Sequence, residues 1–378
     1  MRQASTPTTT AAANRFKILI IASLRYPIGE PFAGGLEAHT WSLAQGLRAR
    51  GHSVTVAGAV GSDPDVVGYE FGLLPTGDPT ERPDITNHPL VRAAELAAFT
   101  GLMEQLHDGL LGSFDIIHNN APHPFPIEQA HTLPCPLVTT LHTPKLPWAE
   151  RVLGSRHIPG ADFVAVSRAT AALWRPLISP TVVRNGIDTA IWHFGPGGDG
   201  AVWSGRIVPE KAPHLAIDLA AAAGLPLTIA GPVIDEGYFA DQIAPRLSDR
   251  VRYAGHLSQA PLAELVGGSA LALVTPVWNE PFGMVAAEAM SCGTPVVALA
   301  RGGLPEIVDA LSGRLLPPVG ATGFAPTQLI EAVRAVNEAM TLNRAVVRKR
   351  AVARCSSATM LRGYERVYQD AIGRWDGP

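Results

Sequence analysis

Continuous apolar stretches alternate along the chain with stretches whose apolar residues recur at helical spacing. Phe16 to Ser23 is an apolar run of strand length, Gly35 to Gly51 is amphipathic, and Ser53 to Val60 is a second run of strand length. The same pattern then predicts a helix over 91–111, strands over 115–118, 136–142 and 163–167, and a helix over 168–178. Such alternation is typical of a parallel sheet with helices on both faces.

A second series of the same kind occupies the other half of the chain. It comprises predicted strands over 201–205, 226–231, 251–255, 270–276 and 295–300, and predicted helices over 213–223, 261–267 and 283–292. The most glycine-rich stretch lies between the two series, and we predict an interdomain hinge over 189–200. The sequence therefore predicts two doubly wound α/β domains, over 15–188 and 201–357, preceded by a disordered polar tail over 1–14.

Length and composition agree with this organisation. A chain of 378 residues is too long for one ordinary core. No apolar run approaches 18 residues, so we expect no membrane-spanning helix. The first apolar run contains Lys17 and follows a tail rich in Ser, Thr and Ala, which argues against a signal peptide and for a cytoplasmic protein. A net charge of −3 gives no general attraction for nucleic acid.

Two further patterns have structural interpretations. Cys135, Cys292 and Cys355 share no metal-ligand spacing and are expected to be packing residues. The basic residues between Arg344 and Arg354 recur at helical spacing, and we interpret them as a solvated helix face.

Two carboxylates lie in and just before the predicted helix over 283–292. Pro281 suits the start of this helix and Gly293 suits its end. Because apolar residues surround the helix, its one charge, Glu288, is expected to be buried, where a carboxylate needs a partner such as the two hydroxyls of a ribose. Glu280 lies ahead of the helix, where unpaired N–H groups favour phosphate or sugar oxygens. The alternative is a surface carboxylate that caps the helix, together with an inner salt bridge.

The spacing of Glu280 and Glu288 resembles the E-x7-E motif of retaining glycosyltransferases with the GT-B fold. Glu-Pro-Phe-Gly at 280–283, followed by Glu-Ala-Met-x-Cys-Gly-Thr-Pro-Val-Val-Ala at 288–298, is similar to glycosyltransferase family 4. The resemblance implies two Rossmann-like domains facing across a cleft. It also implies that the first domain binds the acceptor, that the second binds the nucleotide sugar, and that a C-terminal helix within 358–378 crosses back to the first domain.

Other residues match the donor-binding elements of that family. Gly34 and Gly35 follow the first strand, where glycine lets the backbone approach a pyrophosphate at a helix N-terminus. Arg206 and Lys211 resemble the Gly-Arg-x4-Lys element, whose cations meet the diphosphate, although two surface cations are the alternative. Ala212 stands where the family usually has glycine. The resemblance implies further donor contacts from Phe282, Gly283, Met284 and Val285.

Candidate residues for the transferred sugar and the acceptor lie at strand ends of the first domain. His142 resembles the family histidine that hydrogen-bonds the sugar or the acceptor near the anomeric carbon, whereas a lone strand-end histidine is otherwise usually structural. His118, Asn119 and Arg168 are candidates for acceptor contacts. The acceptor is expected against irregular, proline-rich segments that carry few cations, which favours a small soluble acceptor over an anionic lipid or polymer; these segments are 24–33, 61–90 and 119–132.

The sequence thus predicts a retaining glycosyltransferase that moves a hexose from a nucleoside diphosphate sugar, UDP by family frequency, to an acceptor hydroxyl. Glu280 and His142 are the predicted catalytic pair, with no metal and no cofactor beyond the sugar nucleotide. Asp63-Pro64-Asp65 matches the D-x-D signature of metal-dependent enzymes, but its proline predicts a turn. The alternatives are a nucleotide-sugar 2-epimerase of the same fold and a non-catalytic sugar-nucleotide binding protein. The sequence is compatible with a homodimer.

Overall fold

The computed structural model describes residues 15–72, 89–154 and 158–377. The tail over 1–14 that we predict to be disordered, and most of the predicted acceptor segment over 61–90, lie outside these residues. Within them, no helix is both long enough and apolar enough to cross a membrane.

The first half of the chain builds a sheet whose seven described strands are all parallel, in the order β3-β2-β1-β4-β5-β6-β7. These strands are β1 (Lys17–Ile21), β2 (Ser53–Ala59), β3 (Tyr69–Phe71), β4 (Ile116–Asn119), β5 (Leu137–Leu141), β6 (Ala161–Ala165) and β7 (Thr181–Val182). The helices of this half are α1 (Gly35–Ala49), α2 (Pro89–His107), α3 (Phe125–Glu128), α4 (Ala149–Leu153) and α5 (Arg168–Trp174).

The second half builds a second parallel sheet, of six described strands, in the order β10-β9-β8-β11-β12-β13. These strands are β8 (Ala201–Ser204), β9 (Leu227–Ala230), β10 (Val251–Tyr253), β11 (Leu271–Val274), β12 (Val296–Leu299) and β13 (Gly313–Leu316). The helices that follow α5 are α6 (Pro213–Ala222), α7 (Glu236–Tyr238), α8 (Gln259–Gly267), α9 (Met284–Ser291), α10 (Leu304–Ile307), α11 (Pro326–Met340), α12 (Arg344–Cys355) and α13 (Ser357–Gly373).

Both faces of the first sheet are covered, and β1 shows how. Ile18 and Ile20 point into the core shared with α1, whereas Leu19 and Ile21 point into the core shared with α2. A strand buried on both faces must be apolar at every position, which is why its sequence is a continuous apolar run. The two-domain α/β fold predicted from the sequence is therefore confirmed.

The last helix returns to the first domain. Met360, Leu361, Tyr364, Val367 and Tyr368 of α13 lie in the same hydrophobic core as β1 and α1. The predicted crossing of the C-terminal helix is confirmed. This packing brings two tyrosine hydroxyls into the interior of the first domain.

The glycine-rich segment between the domains is attached to the second one. The amide N–H of Gly195 donates to the Cys292 carbonyl at 3.0 Å, and that of Gly197 donates to the Gly267 carbonyl at 2.8 Å. A β-carbon on Gly195 would lie only 2.4 Å from the Gly267 α-carbon, so a side chain there cannot be accommodated. These glycines therefore permit close packing of two backbones, a role that the prediction of a hinge over 189–200 did not include.

One region received no prediction of a strand or a helix. Residues 301–343 contain α10, the edge strand β13 and the 15-residue helix α11. α11 is amphipathic, with Ala332, Val336 and Ala339 buried, so its helical periodicity was available in the sequence.

The interpretation of the basic run as a solvated helix face holds for Lys349, which is exposed, but is wrong for the arginines of α12. The Arg344 guanidinium donates to the Gly267 carbonyl at 2.8 Å and to the Ser269 carbonyl at 3.0 Å. Arg350 and Arg354 both pair with Asp309. These arginines of α12 bind carbonyls and a carboxylate left at the ends of neighbouring elements, so they hold the second domain together.

Candidate active site

The carboxyl ends of the two sheets lie opposite each other, and the glycines after β1 bridge the gap between them. A β-carbon on Gly34 would lie 3.7 Å from Cδ of Arg206, which follows β8. A β-carbon on Gly35 would lie 3.5 Å from Cγ of Met284, the first residue of α9. The start of α1 therefore meets the second domain where a diphosphate is expected.

Glu288 on α9 is a buried carboxylate without a partner in the described chain. Only 8% of the residue is exposed, and burial raises the pKa of its carboxyl to about 8, with no hydrogen bond or cation opposing that shift. A buried polar group left unpaired costs about 1–3 kcal/mol, and more when it is charged. Glu288 therefore fits a position completed by a ligand that donates hydrogen bonds.

The start of α9 offers unpaired backbone donors. Gly283, the residue before the helix, has φ of 97°, a left-handed conformation in which side chains are strained, and a β-carbon there would lie 2.5 Å from Leu304. No side chain caps the helix, and the N–H groups of Met284 and Val285 take no partner among the described residues. Such a helix start attracts anionic oxygens. Phe282, by contrast, is buried in the second domain's core, so its side chain supports this loop from behind.

Glu280 and Lys211 form an ion pair at the mouth of the site. Lys211 Nζ lies 2.6 Å from Glu280 Oε2, and the Trp278 indole N–H donates to the same oxygen at 3.0 Å. Lys211 Nζ also lies 5.0 Å from the centroid of the Trp278 ring. The cation that we predicted for the diphosphate is therefore held beside the carboxylate that we predicted for the sugar. An ammonium has three donors, which lets Lys211 contact the Glu280 carboxylate and a diphosphate at the same time.

Arg206 lies beside the glycines that follow β1. Its side chain is about a third exposed, and its guanidinium lies 3.9 Å from the Glu210 carboxylate. Glu37, in the first turn of α1, is buried, and burial raises the pKa of its carboxyl against the opposing effects of its own backbone N–H and of Arg206. Glu37 lies two residues after Gly35 and was not among the predicted site residues.

His142 follows β5 on the opposite wall. Its Nε2 lies 2.8 Å from Asn120 Oδ1, and its ring packs edge-on against His39 with centroids 4.7 Å apart. Burial, and then the proximity of His39 and His118, hold the pKa of His142 well below its usual range. The half-buried imidazole is therefore neutral at physiological pH. His39 was not identified from the sequence, because it belongs to no recognisable motif.

His118 and Asn119 do not face the cleft, which corrects their prediction as acceptor contacts. His118 is fully buried, its Nδ1 bonds the Tyr368 hydroxyl, and its Nε2 lies 2.8 Å from Thr140 Oγ1. Burial lowers the pKa of His118 to about 3. Asn119 is also fully buried, and its side-chain oxygen accepts the N–H of Ala121 at 3.0 Å. The return of α13 encloses this strand end.

Arg168 is exposed at the start of α5. Its backbone N–H donates to Glu306 at 3.1 Å, and the next N–H donates to the same carboxylate at 2.7 Å. Ser167 donates to the Pro281 carbonyl at 2.6 Å. The start of α5 therefore holds the Glu280–Pro281 loop in place from the first domain.

Two of the predicted acceptor segments, 24–33 and the described part of 61–90, make different contacts. In segment 24–33, the Phe32 carbonyl bonds His256 Nε2 at 2.9 Å and Glu30 accepts the N–H of Gln259 at 3.3 Å, so this loop reaches the second domain. In segment 61–90, Asp63 accepts the N–H of Asp65 within a turn, which is the turn that we predicted there.

Models of known families match both halves of the chain. The model described as Glycosyltransferase Family 4 matches residues 33–191, and the model described as Glycosyl transferases group 1 matches residues 198–347. The second match contains Arg206, Lys211, Glu280 and Glu288.

Curated relatives are similar over most of the chain. A glycogen synthase of Mycobacterium tuberculosis is 29% identical over 366 residues, which covers 81% of this chain and 84% of the relative. A D-inositol 3-phosphate glycosyltransferase of Mycobacterium bovis is 30% identical over 368 residues, which covers 81% of this chain and 73% of the relative.

Solved structures share the fold. AviGT4, a glycosyltransferase involved in avilamycin A biosynthesis, has a TM-score of 0.69 with 23% identity, covering 95% of this chain and 99% of its own. HepE of Anabaena, solved in complex with UDP and glucose, has a TM-score of 0.71 with 19% identity, covering 94% of this chain and all of its own.

Proposed function

Because the chain belongs to glycosyltransferase family 4 and is a glycosyltransferase with a nucleotide-sugar donor, we propose that it moves a hexose from a UDP-sugar to a hydroxyl of a small soluble acceptor. We propose further that the anomeric configuration is retained and that no metal ion is required. The single observation that carries this proposal is the buried carboxylate of Glu288, which has no partner in the described part of the chain, beside the open start of α9.

The site residues divide between the parts of the donor. Glu288 accepts hydrogen bonds from the two ribose hydroxyls, which suits a carboxylate with two oxygens. Arg206, Lys211 and the N–H groups at the starts of α1 and α9 bind the diphosphate. Glu280, fixed by Lys211 and Trp278, and His142 on the opposite wall hold the hexose between them.

The reaction that we propose is a front-face substitution. The bond between the anomeric carbon and the diphosphate oxygen breaks, the acceptor oxygen forms its bond on the same face, and the leaving phosphate accepts the acceptor's proton. Neutral His142 and the ion-paired Glu280 position the sugar. Arg206 and Lys211 stabilise the charge that develops on the leaving diphosphate, an effect that grows as water is excluded.

The choice of UDP is supported by HepE, which was solved with UDP. The choice of acceptor is supported by the scarcity of cations in the predicted acceptor segments, since a phosphorylated or anionic polymer needs them. The names of the relatives do not indicate a single acceptor, because one is a glycogen synthase and the other is a D-inositol 3-phosphate glycosyltransferase. No observation favours the 2-epimerase.

A panel of nucleotide sugars tests the proposal. UDP-hexoses should raise the melting temperature and should be hydrolysed slowly in the absence of acceptor, whereas the GDP and ADP forms should have smaller effects. Activity should survive EDTA, because Arg206 and Lys211 supply the positive charge. If no nucleotide sugar is bound, the proposal is wrong; if chelation abolishes turnover and Mg²⁺ or Mn²⁺ restores it, the assignment of the two cations is wrong.

A further inference from the structure

Behind His142 a chain of hydrogen bonds runs through the first domain to the glycine loop. His142 Nε2 lies 2.8 Å from Asn120 Oδ1, and Asn120 Nδ2 donates to Thr40 Oγ1 at 3.2 Å. The Thr40 hydroxyl donates in turn to the Leu36 carbonyl at 2.9 Å. Asn120 and Thr40 are each only 1% exposed. Leu36 directly follows Gly34 and Gly35, so these hydrogen bonds connect His142 on one side of the site to the glycine loop on the other.

The direction of each bond in this chain is determined. The Thr40 hydroxyl has one hydrogen and gives it to a carbonyl, which can only accept. Its oxygen is then free to accept, so the Asn120 group beside it is the NH₂ and the group beside His142 is the carbonyl oxygen. A carbonyl oxygen cannot donate, and His142 Nε2 must therefore carry a hydrogen.

The ring of His142 has only that one proton. The titratable groups that act on it are His39 on α1 and His118 on β4, and Tyr364 on α13 packs against both of these histidines. None of the three is an anion that would hold a second proton on the ring. Burial lowers the pKa of His39 to about 4 and raises that of Tyr364. With the proton on Nε2, Nδ1 carries the lone pair. Nδ1 bonds no described residue and is not among the enclosed, unpaired nitrogens, unlike both nitrogens of His39.

We propose that Asn120 and Thr40 are positioning residues that keep the proton of His142 on Nε2, so that Nδ1 accepts a hydrogen bond from a substrate hydroxyl. This inference rests on the proposed function, and it names the chemistry that His142 recognises. A lone pair attracts a hydroxyl and repels a carboxylate or phosphate oxygen. A hexose that lacks the recognised hydroxyl should be transferred about tenfold more slowly, whereas the affinity for free UDP should not change.

Two substitutions at Thr40 test the positioning role of its hydroxyl. Thr40→Val keeps the shape and removes the hydroxyl, so we expect kcat to fall about 3- to 10-fold with little change in the affinity for UDP. Thr40→Ser restores the hydroxyl and should restore kcat. The matched control is Thr100→Val on α2, where the hydroxyl donates to the Leu96 carbonyl at 2.8 Å in the same way but far from the site. Equal kcat for Thr40→Val and Thr40→Ser would overturn the proposal.

A charge at position 120 tests the tautomer. In Asn120→Asp the carboxylate raises the pKa of His142, so the ring gains a second proton as the pH falls from about 9 to about 6, and Nδ1 becomes a donor. The kcat of this variant at saturating donor, divided by that of the wild type at the same pH, should fall over that range, because the ratio removes the pH dependence that Glu288 gives to both proteins. Identical profiles would contradict the inference.

Nitrogen NMR of labelled histidine, assigned with His142→Gln, separates this inference from the proposed function, because it needs no turnover. A proton on Nε2 of His142 supports the inference even if no sugar is transferred, and a proton on Nδ1 overturns it even if transfer is fast.

Discussion

The two walls of the cleft satisfy their polar groups in different ways. On the first domain, the neutral side chains of His118, Asn120 and His142 bond protein partners, and Nδ1 of His142 is left open for a ligand. On the second domain, neither Glu288 nor the first N–H groups of α9 have a partner among the residues that the structure describes. The first wall is therefore preassembled, whereas the second is finished only when an anionic, hydroxyl-bearing ligand binds.

This difference assigns separate tasks to the two walls. An incomplete, charged wall gains binding free energy from the nucleotide, because the ligand replaces hydrogen bonds that the protein lacks. A neutral wall whose groups are mostly bonded to the protein contributes little to affinity and instead fixes the orientation of a few groups. We therefore expect substitutions on the second domain to change donor affinity and stability, and substitutions on the first domain to change kcat.

The largest effect should be the dependence of stability on the ionisation of Glu288. Burial raises the pKa of its carboxyl from 4.5 to about 8, so between these values the folded protein holds a proton that the unfolded chain releases. This contribution to the free energy of unfolding is fully present below about pH 4.5 and is lost as the pH rises through about 8. The total loss is at most roughly 4 to 5 kcal/mol. Urea unfolding across this range should show the decline in the wild type and a smaller decline in Glu288→Gln.

The nucleotide sharpens the same test. Ribose hydroxyls favour the ionised carboxylate, so UDP binding near pH 7 should release a proton from the wild type and none from Glu288→Gln. Calorimetry in buffers of different ionisation enthalpy measures this release. Equal slopes of stability and equal proton release in the two proteins would show that Glu288 is not the titrating group.

The next effect should come from Lys211, which has the Glu280 carboxylate as one partner and the predicted diphosphate as the other. Lys211→Met removes the charge and leaves Glu280 with the Trp278 N–H alone, so we expect kcat/KM to fall about 100-fold or more. The same substitution at Lys349, an exposed residue of α12, is the matched control and should change nothing. A loss below about threefold would remove Lys211 from the site.

The sequence predicted the second wall better than the first, for a physical reason. Glu280 and Glu288 lie in one helix and the loop before it, and Arg206 and Lys211 lie in another loop. The spacing of these residues in the sequence is therefore enough to identify each pair. The enclosure of His118 depends on Tyr368, which lies 250 positions away. No local pattern reports that the closing helix covers this strand end.

Contacts across long separations also explain the other differences. Arg344 to Arg354 have the spacing of an exposed helix face, yet Arg344 bonds carbonyls some 75 positions earlier in the chain. The ion pair of Lys211 and Glu280 spans 69 positions, and the two residues were predicted for different parts of the donor. Ala212 also shows what the sequence alone does not report. It adopts φ of 48°, a left-handed conformation that explains why the family usually has glycine at this position, and its side chain is fully buried.

A smaller effect is expected on the shape of the molecule. The two crossings between the domains lie side by side, since Ile187 bonds Cys355 and Ser357 through its backbone. Domains whose two chain crossings lie side by side can close on a ligand that both walls contact. X-ray scattering should show a smaller radius of gyration with saturating UDP-sugar, and Glu288→Gln at the same concentration should show less compaction. Superimposable curves for the wild type with and without donor would contradict closure.

The separate tasks of the two carboxylates are tested most directly by titration calorimetry with UDP, run beside initial rates with the UDP-sugar. Glu288→Gln should weaken UDP binding by about 1 to 3 kcal/mol, because one acceptor oxygen becomes a donor. Glu280→Gln should bind UDP as well as the wild type or better, since it frees Lys211, and should lower turnover and reduce the discrimination between sugars. If Glu280→Gln loses UDP affinity while Glu288→Gln keeps it, the donor lies in the opposite orientation; if neither changes binding or rate, these carboxylates are structural and the proposed site is wrong.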